Sequence, residues 1–294
     1  MAERGKKKGV SGLIVATAVI LVLAVLTVFI LVKYPPPWSA DKPSPQPAPE
    51  PTRGAASREL VLMTWNLRGY PEKDPASRAW FSTELAKLAP DVLCIQEIAD
   101  QAKVTAFMTT EPHFTKVAFL DSPDGQDNAI FGDDQVAVNP LARPTGFQHP
   151  AAAAYVTCGG FDATVITVHL SWTDKVRREQ EKALLKNFVA EARKADPDVL
   201  VAGDFNTEQP DIGELASSCG LKVMVPGNVT TTGTTHAGHR YDWLLVSPDL
   251  ADEEAIGAEI VIFSTADLST AKKVSDHLPV KARFRTEEQF KDRK

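Results

Sequence analysis

Cysteine is scarce in this sequence, with three residues, Cys94, Cys158 and Cys219, among 294. None belongs to a CxxC pair or a Cys/His ligand spacing, which excludes a zinc ribbon and a multi-disulfide scaffold. Cys94 and Cys158 lie in or beside apolar runs, where free cysteine behaves as a small buried hydrophobe. Positive charge is scarce too, once the chain is divided. Of 32 Lys or Arg and 38 Asp or Glu, seven and three fall within residues 1–57, leaving 25 against 35 on the remainder, a net of -10. A domain of that sign does not hold nucleic acid by electrostatics alone, because nonspecific affinity comes from Lys and Arg replacing counterions at phosphates. With 44% hydrophobic and 24% charged residues, the composition excludes a disordered or fibrous chain. There remains one domain of ordinary size behind an unusual first fifth.

That first fifth begins with a short basic segment, residues 1–9, containing Lys6, Lys7 and Lys8. From Val10 to Val32 there are 23 residues without a charge, enough at about 1.5 Å per residue to cross a hydrocarbon core of about 30 Å. A cleavable signal peptide is the alternative. The run exceeds the roughly 7 to 15 residues of a typical signal core and no small-x-small cleavage site follows it, so it reads as an uncleaved, single-pass signal anchor. The lysines place the N-terminus in the cytoplasm and everything after the span on the exported side, a start compatible with bacterial export. Residues 33–57 carry Pro35, Pro36, Pro37, Pro43, Pro45, Pro47, Pro49 and Pro51, a density that favours an extended polyproline spacer. The globular domain is then 58–286, with a charged tail at 287–294.

Within the domain, short β-like runs alternate with helical ones. Strands are expected near 59–66, 91–96, 115–120, 128–131, 135–138, 153–157, 164–169, 199–202, 241–246, 256–263 and 278–284. Helices are expected near 76–88, 101–108 and 175–195, the last with an apolar stripe of Val176, Ala183, Leu184, Phe188 and Ala192. The class is α+β.

The ends of these strands are the informative places, because an apolar strand is a rigid arm and its end can present a side chain. LVLMTWNLRG (60–69) runs into Asn66 and a glycine turn, and VLCIQE (92–97) delivers Glu97. VLVAGDFN (199–206) presents Asp204 and Asn206 two positions apart, on one side of an extended chain. VSDHLPV (274–280) carries Asp276 and His277. A lone Glu at a strand end is most often a solvated surface residue. The four ends together with TVHL (167–170) and RYDW (240–243) form an ordered series that chance rarely assembles.

In the order TWNLRG, IQE, TVHL, GDFN, RYDWLLVS and SDHLPV, the chain resembles the endonuclease/exonuclease/phosphatase superfamily. That superfamily includes deoxyribonuclease I, exonuclease III, neutral sphingomyelinases and inositol polyphosphate 5-phosphatases. The resemblance spans Leu60 to about Arg285. It implies a four-layer α/β/β/α sandwich of two facing mixed β-sheets flanked by helices, with the site at one open end. Hydrolysis of an anionic phosphoester requires charge neutralisation, an oriented water and a protonated leaving oxygen. Carboxylate and amide oxygens suit Mg²⁺ or Mn²⁺. The resemblance implies Glu97 as main metal ligand with Asn66 and Asp276 near it, and Asp204 and Asn206 holding the water and a phosphate oxygen. His277 is then the general base, oriented by Asp242, and His169 contacts the scissile phosphate or assists the leaving group.

His113, His149, His236 and His239 match no such position and read as surface or loop residues, the last two flanking a Thr/Gly-rich loop that borders the site. Where many relatives carry a motif like NAILSR, this chain has NAIFGDD (128–134), which leaves the phosphate contact of that arginine without a counterpart. The carboxylate partner of His169 stays open among Asp121, Asp124 and Asp127. The leading expectation is a monomeric catalytic domain that hydrolyses phosphodiesters, nucleic acid first. A sphingomyelin or phospholipid phosphodiesterase is the runner-up, and an inositol-phosphate phosphatase would need a more basic pocket. A catalytically silent, membrane-tethered binding domain is the reading of another class. It is disfavoured because Asn66, Glu97, Asp204, Asn206, Asp242, Asp276 and His277 are all present.

Overall fold

Short runs rich in Val, Leu, Ile and Ala become strands here, and their alternating side chains decide how the layers stack. The computed structural model describes residues 59–70, 73–122, 125–142, 145–224 and 233–287. The expected anchor at 10–32, the proline-rich spacer and all but the first residue of the tail lie outside the described residues. Among the described residues, no helix is long and apolar enough to cross a membrane.

The strands are β1 (Glu59–Asn66), β2 (Val92–Ile98), β3 (Phe114–Phe119), β4 (Asp127–Asp133), β5 (Ala137–Pro140) and β6 (Ala152–Cys158), followed by β7 (Phe161–His169), β8 (Val199–Asp204), β9 (Lys222–Val223), β10 (Asp242–Val246), β11 (Ala255–Ile260) and β12 (Val280–Arg285). They form two six-stranded sheets, β11-β12-β1-β2-β4-β3 and β5-β6-β7-β8-β10-β9. The helices are α1 (Pro75–Leu88), α2 (Gln101–Thr110), α3 (Lys175–Ala195), α4 (Asp211–Ser218) and α5 (Leu268–Val274). Asp74 caps α1 by accepting from the Ala76 and Ser77 amides, Asp100 caps α2 through the Lys103 amide, and Asp174 caps α3 through the Arg177 amide.

In the second sheet, Val165, Leu200 and Leu244 join the cluster that also holds Cys94, Ile130 and Phe131 of the first sheet. Their neighbours Ile166, Val201 and Leu245 point the other way, onto Leu185 and Val189 of α3 and Ile212 and Leu215 of α4. Phe81, Leu85 and Phe107 of α1 and α2 cover the first sheet. The result is the expected α/β/β/α sandwich. Buried Gln96 stitches the two sheets, its Nε2 donating to Thr167 Oγ1 at 2.8 Å and Thr64 Oγ1 at 3.0 Å.

Each sheet contains one parallel pair at its centre, β1 with β2 and β7 with β8. In those pairs Asn66 sits opposite Gln96 and His169 opposite Asp204, so four strand C-termini gather their polar residues at one end. The antiparallel β10 starts there, with Asp242 opposite Asp204.

Two expectations change. The buried stripe of α3 is centred on Glu181, Lys182, Leu185 and Val189, whereas Val176 is 70% exposed. The reason is Glu181, whose fully buried carboxylate accepts the Gln148 and Ser171 amides and so holds that turn inward. β5 starts two residues later than the apolar pattern implies, because Asp133 accepts the Gln135 amide in a turn.

At the far end of β8 from Asp204 lies a carboxylate-rich region. Tyr155 donates to Asp162 at 2.6 Å, and Asp196 accepts the Asp198 amide at 2.9 Å. Burial, with repulsion from Asp162 and Asp198, pushes Asp196 up to about 6, and burial with repulsion from Asp198, Asp162, Glu253 and Asp196 pushes Glu254 up to about 8. A carboxyl raised on folding stabilises at pH values below its unfolded pKa, and that contribution is lost as pH rises through the folded one. The melting temperature is therefore expected to fall between about pH 4 and 8, from the ordinary carboxylate values up to the raised ones. Glu254→Gln should flatten that fall; a variant that tracks the parent at every pH would refute this account.

Candidate active site

At the end of β1 the chain turns through Arg68 (φ 47°) and Gly69 (φ 76°), held by the Leu67 amide on the Gln96 carbonyl and the Gly69 amide on the Glu97 carbonyl. Asn66 Oδ1 accepts the Arg68 amide at 3.0 Å. Its Nδ2 donates to Glu97 Oε1 at 2.9 Å and to Asp204 Oδ2 at 3.1 Å, so one buried amide clamps a carboxylate from each sheet.

Glu97 occupies a bulge in β2, where Gln96 pairs with Asn128, Ile98 pairs with Asp127 and Glu97 is skipped. Its φ of 61° is in the left-handed region, a conformation costing on the order of 1–3 kcal/mol outside glycine and concentrated at functional sites. Asn206, at φ 47°, is similar. Its amide N–H donates to Asp204 Oδ1 at 2.9 Å and its Nδ2 to the Leu170 carbonyl at 2.8 Å, which ties the GDFN turn to the end of β7.

His169 is buried, with Nε2 3.9 Å from both Glu97 Oε1 and Asp204 Oδ2. Its Nδ1 has no hydrogen-bond partner among the described residues. Asp121 instead accepts the Gln101 amide, Asp127 binds the amide and hydroxyl of Ser122, and Asp124 lies outside the described residues. Across the site, His277 Nδ1 lies 2.8 Å from Asp242 Oδ2 and Nε2 3.7 Å from Asp204 Oδ2. Trp65 Nε1 donates to the His277 carbonyl at 3.0 Å, and the His277 amide donates to Ser275 Oγ at 2.9 Å.

Burial opposes a charge on His277, but the Asp242 carboxylate, the hydrogen bond to it, Asp204 and Asp276 together outweigh burial and push the imidazole up to about 10. Asp276 sits on the rim, 53% exposed, with Oδ2 3.5 Å from Arg68 Nη1. Lys73 Nζ donates to the Arg68 carbonyl at 2.7 Å, and burial and the Arg68 charge depress its pKa.

Thus Asn66, Glu97, His169, Asp204, Asp242 and His277 come together, Asn206 joins them through Asp204, and Asp276 lies outside the buried set. Two participants escape the motifs. Thr234 Oγ1 accepts the Tyr241 and Asp242 amides and fixes the start of β10; its only signal is the Thr/Gly-rich loop, which does border the site, the His236 amide donating to the Asp276 carbonyl. His149 is buried rather than on the surface, stacked on His169, because Glu181 of α3 accepts the Gln148 amide and Asn128 of β4 donates to the Pro150 carbonyl, drawing its loop inward.

The donor set fits a hard divalent cation. Asp204, Asp242 and His277 offer ligand atoms within 4.8 Å of one another, Glu97 adds a further carboxylate, and Asp242 Oδ1 is buried without a hydrogen-bond partner among the described residues. No thiolate is present to favour a softer ion.

The endonuclease/exonuclease/phosphatase family model matches residues 63–277, from within β1 to His277 itself. The chain belongs to this family. Solved structures of the family share its fold. A zebrafish (D. rerio) TDP2 complexed with single-strand DNA product superposes with a TM-score of 0.60 at 18% identity, covering 77% of this chain and 98% of that one. The human Nocturnin catalytic domain with bound sulfate gives 0.60 at 19% identity, covering 77% and 93%. A mannosyl-6-phosphatase from Bacteroides thetaiotaomicron gives 0.58 at 16% identity, covering 76% and 99%. No curated protein matches the chain by sequence. Family members are phosphoester hydrolases, and the acidic and imidazole groups gathered at one end of this sandwich suit that chemistry.

Proposed function

We propose that this chain is a membrane-anchored, divalent-metal-dependent phosphodiesterase that cleaves nucleic acid. The observation that carries the hydrolase reading is the convergence of two imidazole Nε2 atoms on Asp204, one backed by Asp242 and the other beside Glu97. The single-strand DNA product in the zebrafish relative supports nucleic acid as substrate.

Asp242 orients His277, whose Nε2 faces Asp204 and takes the proton of the attacking water. Asp204 and Asn206 hold that water and a phosphate oxygen. His169, from the facing side, contacts the phosphate and assists departure of the leaving oxygen. Held by Glu97 with Asn66 and Asp276 beside it, Mg²⁺ or Mn²⁺ would neutralise charge on the phosphate. Asn66 here turns Nδ2 toward the carboxylates, so ligation through Oδ1 requires its amide to rotate. The uncharged run 10–32 behind Lys6, Lys7 and Lys8 supports an anchor that leaves the domain on the exported side of the membrane.

The full chain, expressed and fractionated, is expected to sediment with membranes. Purified in mild detergent, it should nick plasmid DNA with Mg²⁺ or Mn²⁺ and stop when a chelator is added. Uncut DNA and RNA alongside hydrolysed sphingomyelin would replace the nuclease reading with a lipid phosphodiesterase. Recovery in the soluble fraction would count against the anchor.

A further inference from the structure

We infer that His149 is a positioning residue for His169, fixing the plane of its ring by stacking. The two imidazoles, each 3% exposed, lie with centroids 4.7 Å apart and planes 18° from parallel. A working histidine is usually oriented by a hydrogen bond to the ring nitrogen that faces away from the reaction. His169 Nδ1 makes none among the described residues, while Nε2 points at Glu97 and Asp204. Rotation of the His169 ring about its Cβ–Cγ bond would drive its edge into the face of His149. The stack therefore does what the missing hydrogen bond does elsewhere.

His149 is itself held on both sides. The preceding Gln148 amide donates to Glu181 Oε1 at 2.7 Å, and Asn128 Nδ2 donates to the following Pro150 carbonyl at 2.8 Å. Glu181 and Asn128 are both fully buried. The second oxygen of Glu181 accepts the Ser171 amide at 2.8 Å, two residues beyond His169. One buried carboxylate thus fastens the segment carrying His149 to the strand end carrying His169. Asn128, which opens the NAIFGDD run, fastens the same segment to β4 of the other sheet. At 3% exposure His149 has no surface to offer a substrate, so its influence passes through His169.

The kinetic part of the test rests on the phosphodiesterase reading; the spectroscopic part does not. In the full chain, His149→Ala is expected to lower kcat on plasmid DNA about tenfold with KM nearly unchanged, and to do nothing further once His169 is already alanine, since coupled positions are not additive. His149→Phe, which keeps a flat face, should recover most of the rate, and His149→Leu, which fills the volume without one, should not. The ring carbon signal of His169 in histidine-labelled protein should stay sharp in the parent and His149→Phe and broaden in His149→Leu and His149→Ala. Additive losses in the double variant, equal damage by Phe and Leu, or a sharp His169 signal without an aromatic partner would each overturn the inference. A parent chain that cuts no phosphodiester would sink the functional reading alone, and the ring signals would still decide whether the stack orders His169. Should His149→Ala fail to fold, the Phe and Leu variants carry the comparison.

Discussion

With His277 replaced by alanine, the rate of phosphodiester cleavage is expected to fall by about 10²- to 10⁴-fold, the span usual for loss of a general base. The fall should appear in kcat, since the imidazole is 12% exposed and directs its free nitrogen at Asp204 rather than outward. The pH dependence gives a sharper check. Asp242, Asp204 and Asp276 hold the His277 proton to about pH 10 when nothing offsets their charge, and a protonated imidazole is no base. The parent rate should therefore climb as pH rises and His277 is deprotonated, with the limb moving to lower pH as divalent ion is added. His277→Ala should lack that limb. A His277→Ala chain with the parent's rate and profile would remove His277 from the mechanism.

Gly203→Ala is expected to have the largest effect on stability. A Cβ at Gly203 would meet the Val168 carbonyl oxygen at 2.1 Å and the Val168 nitrogen at 2.9 Å, and the residue's φ is +135°. Both obstacles are backbone of the neighbouring strand, with Val168 paired to Gly203 in the parallel ladder. Neither can rotate away. The loss should exceed about 4 kcal/mol, the range reserved for named structural conflicts, and chemical denaturation would measure it. Gly257→Ala serves as the control, because a Cβ there meets nothing within 4 Å. Equal midpoints for the two variants would show that β7 and β8 separate more readily than their register implies.

Much of this architecture is legible in the sequence because local chemistry writes it. Apolar runs that stop at Asn66, Glu97, Asp204 or His169 announce strands with something to present, and the Asp174 cap and unbroken helix formers give α3 its observed ends, Lys175 and Ala195. The short α4 and α5 escape notice for want of a full periodic stretch, and the two-residue β9 exists only by pairing with β10. The inward face of α3 depends on Glu181 meeting amides 10 and 33 residues away. Such partners leave no local mark. The left-handed bulge at Glu97 is equally silent, since nothing in IQEI distinguishes it from regular strand. His149 looks like a lone loop histidine before a proline until the fold lays it on His169.

The Asn66 clamp joins residues 138 positions apart, one from each sheet. Neither half of the chain carries all of the clustered groups, so the site is incomplete in a nascent polypeptide. The clamp closes only once both sheets are in place. A chain clipped between β5 and β6, by the same reasoning, is disarmed only if its two pieces drift apart.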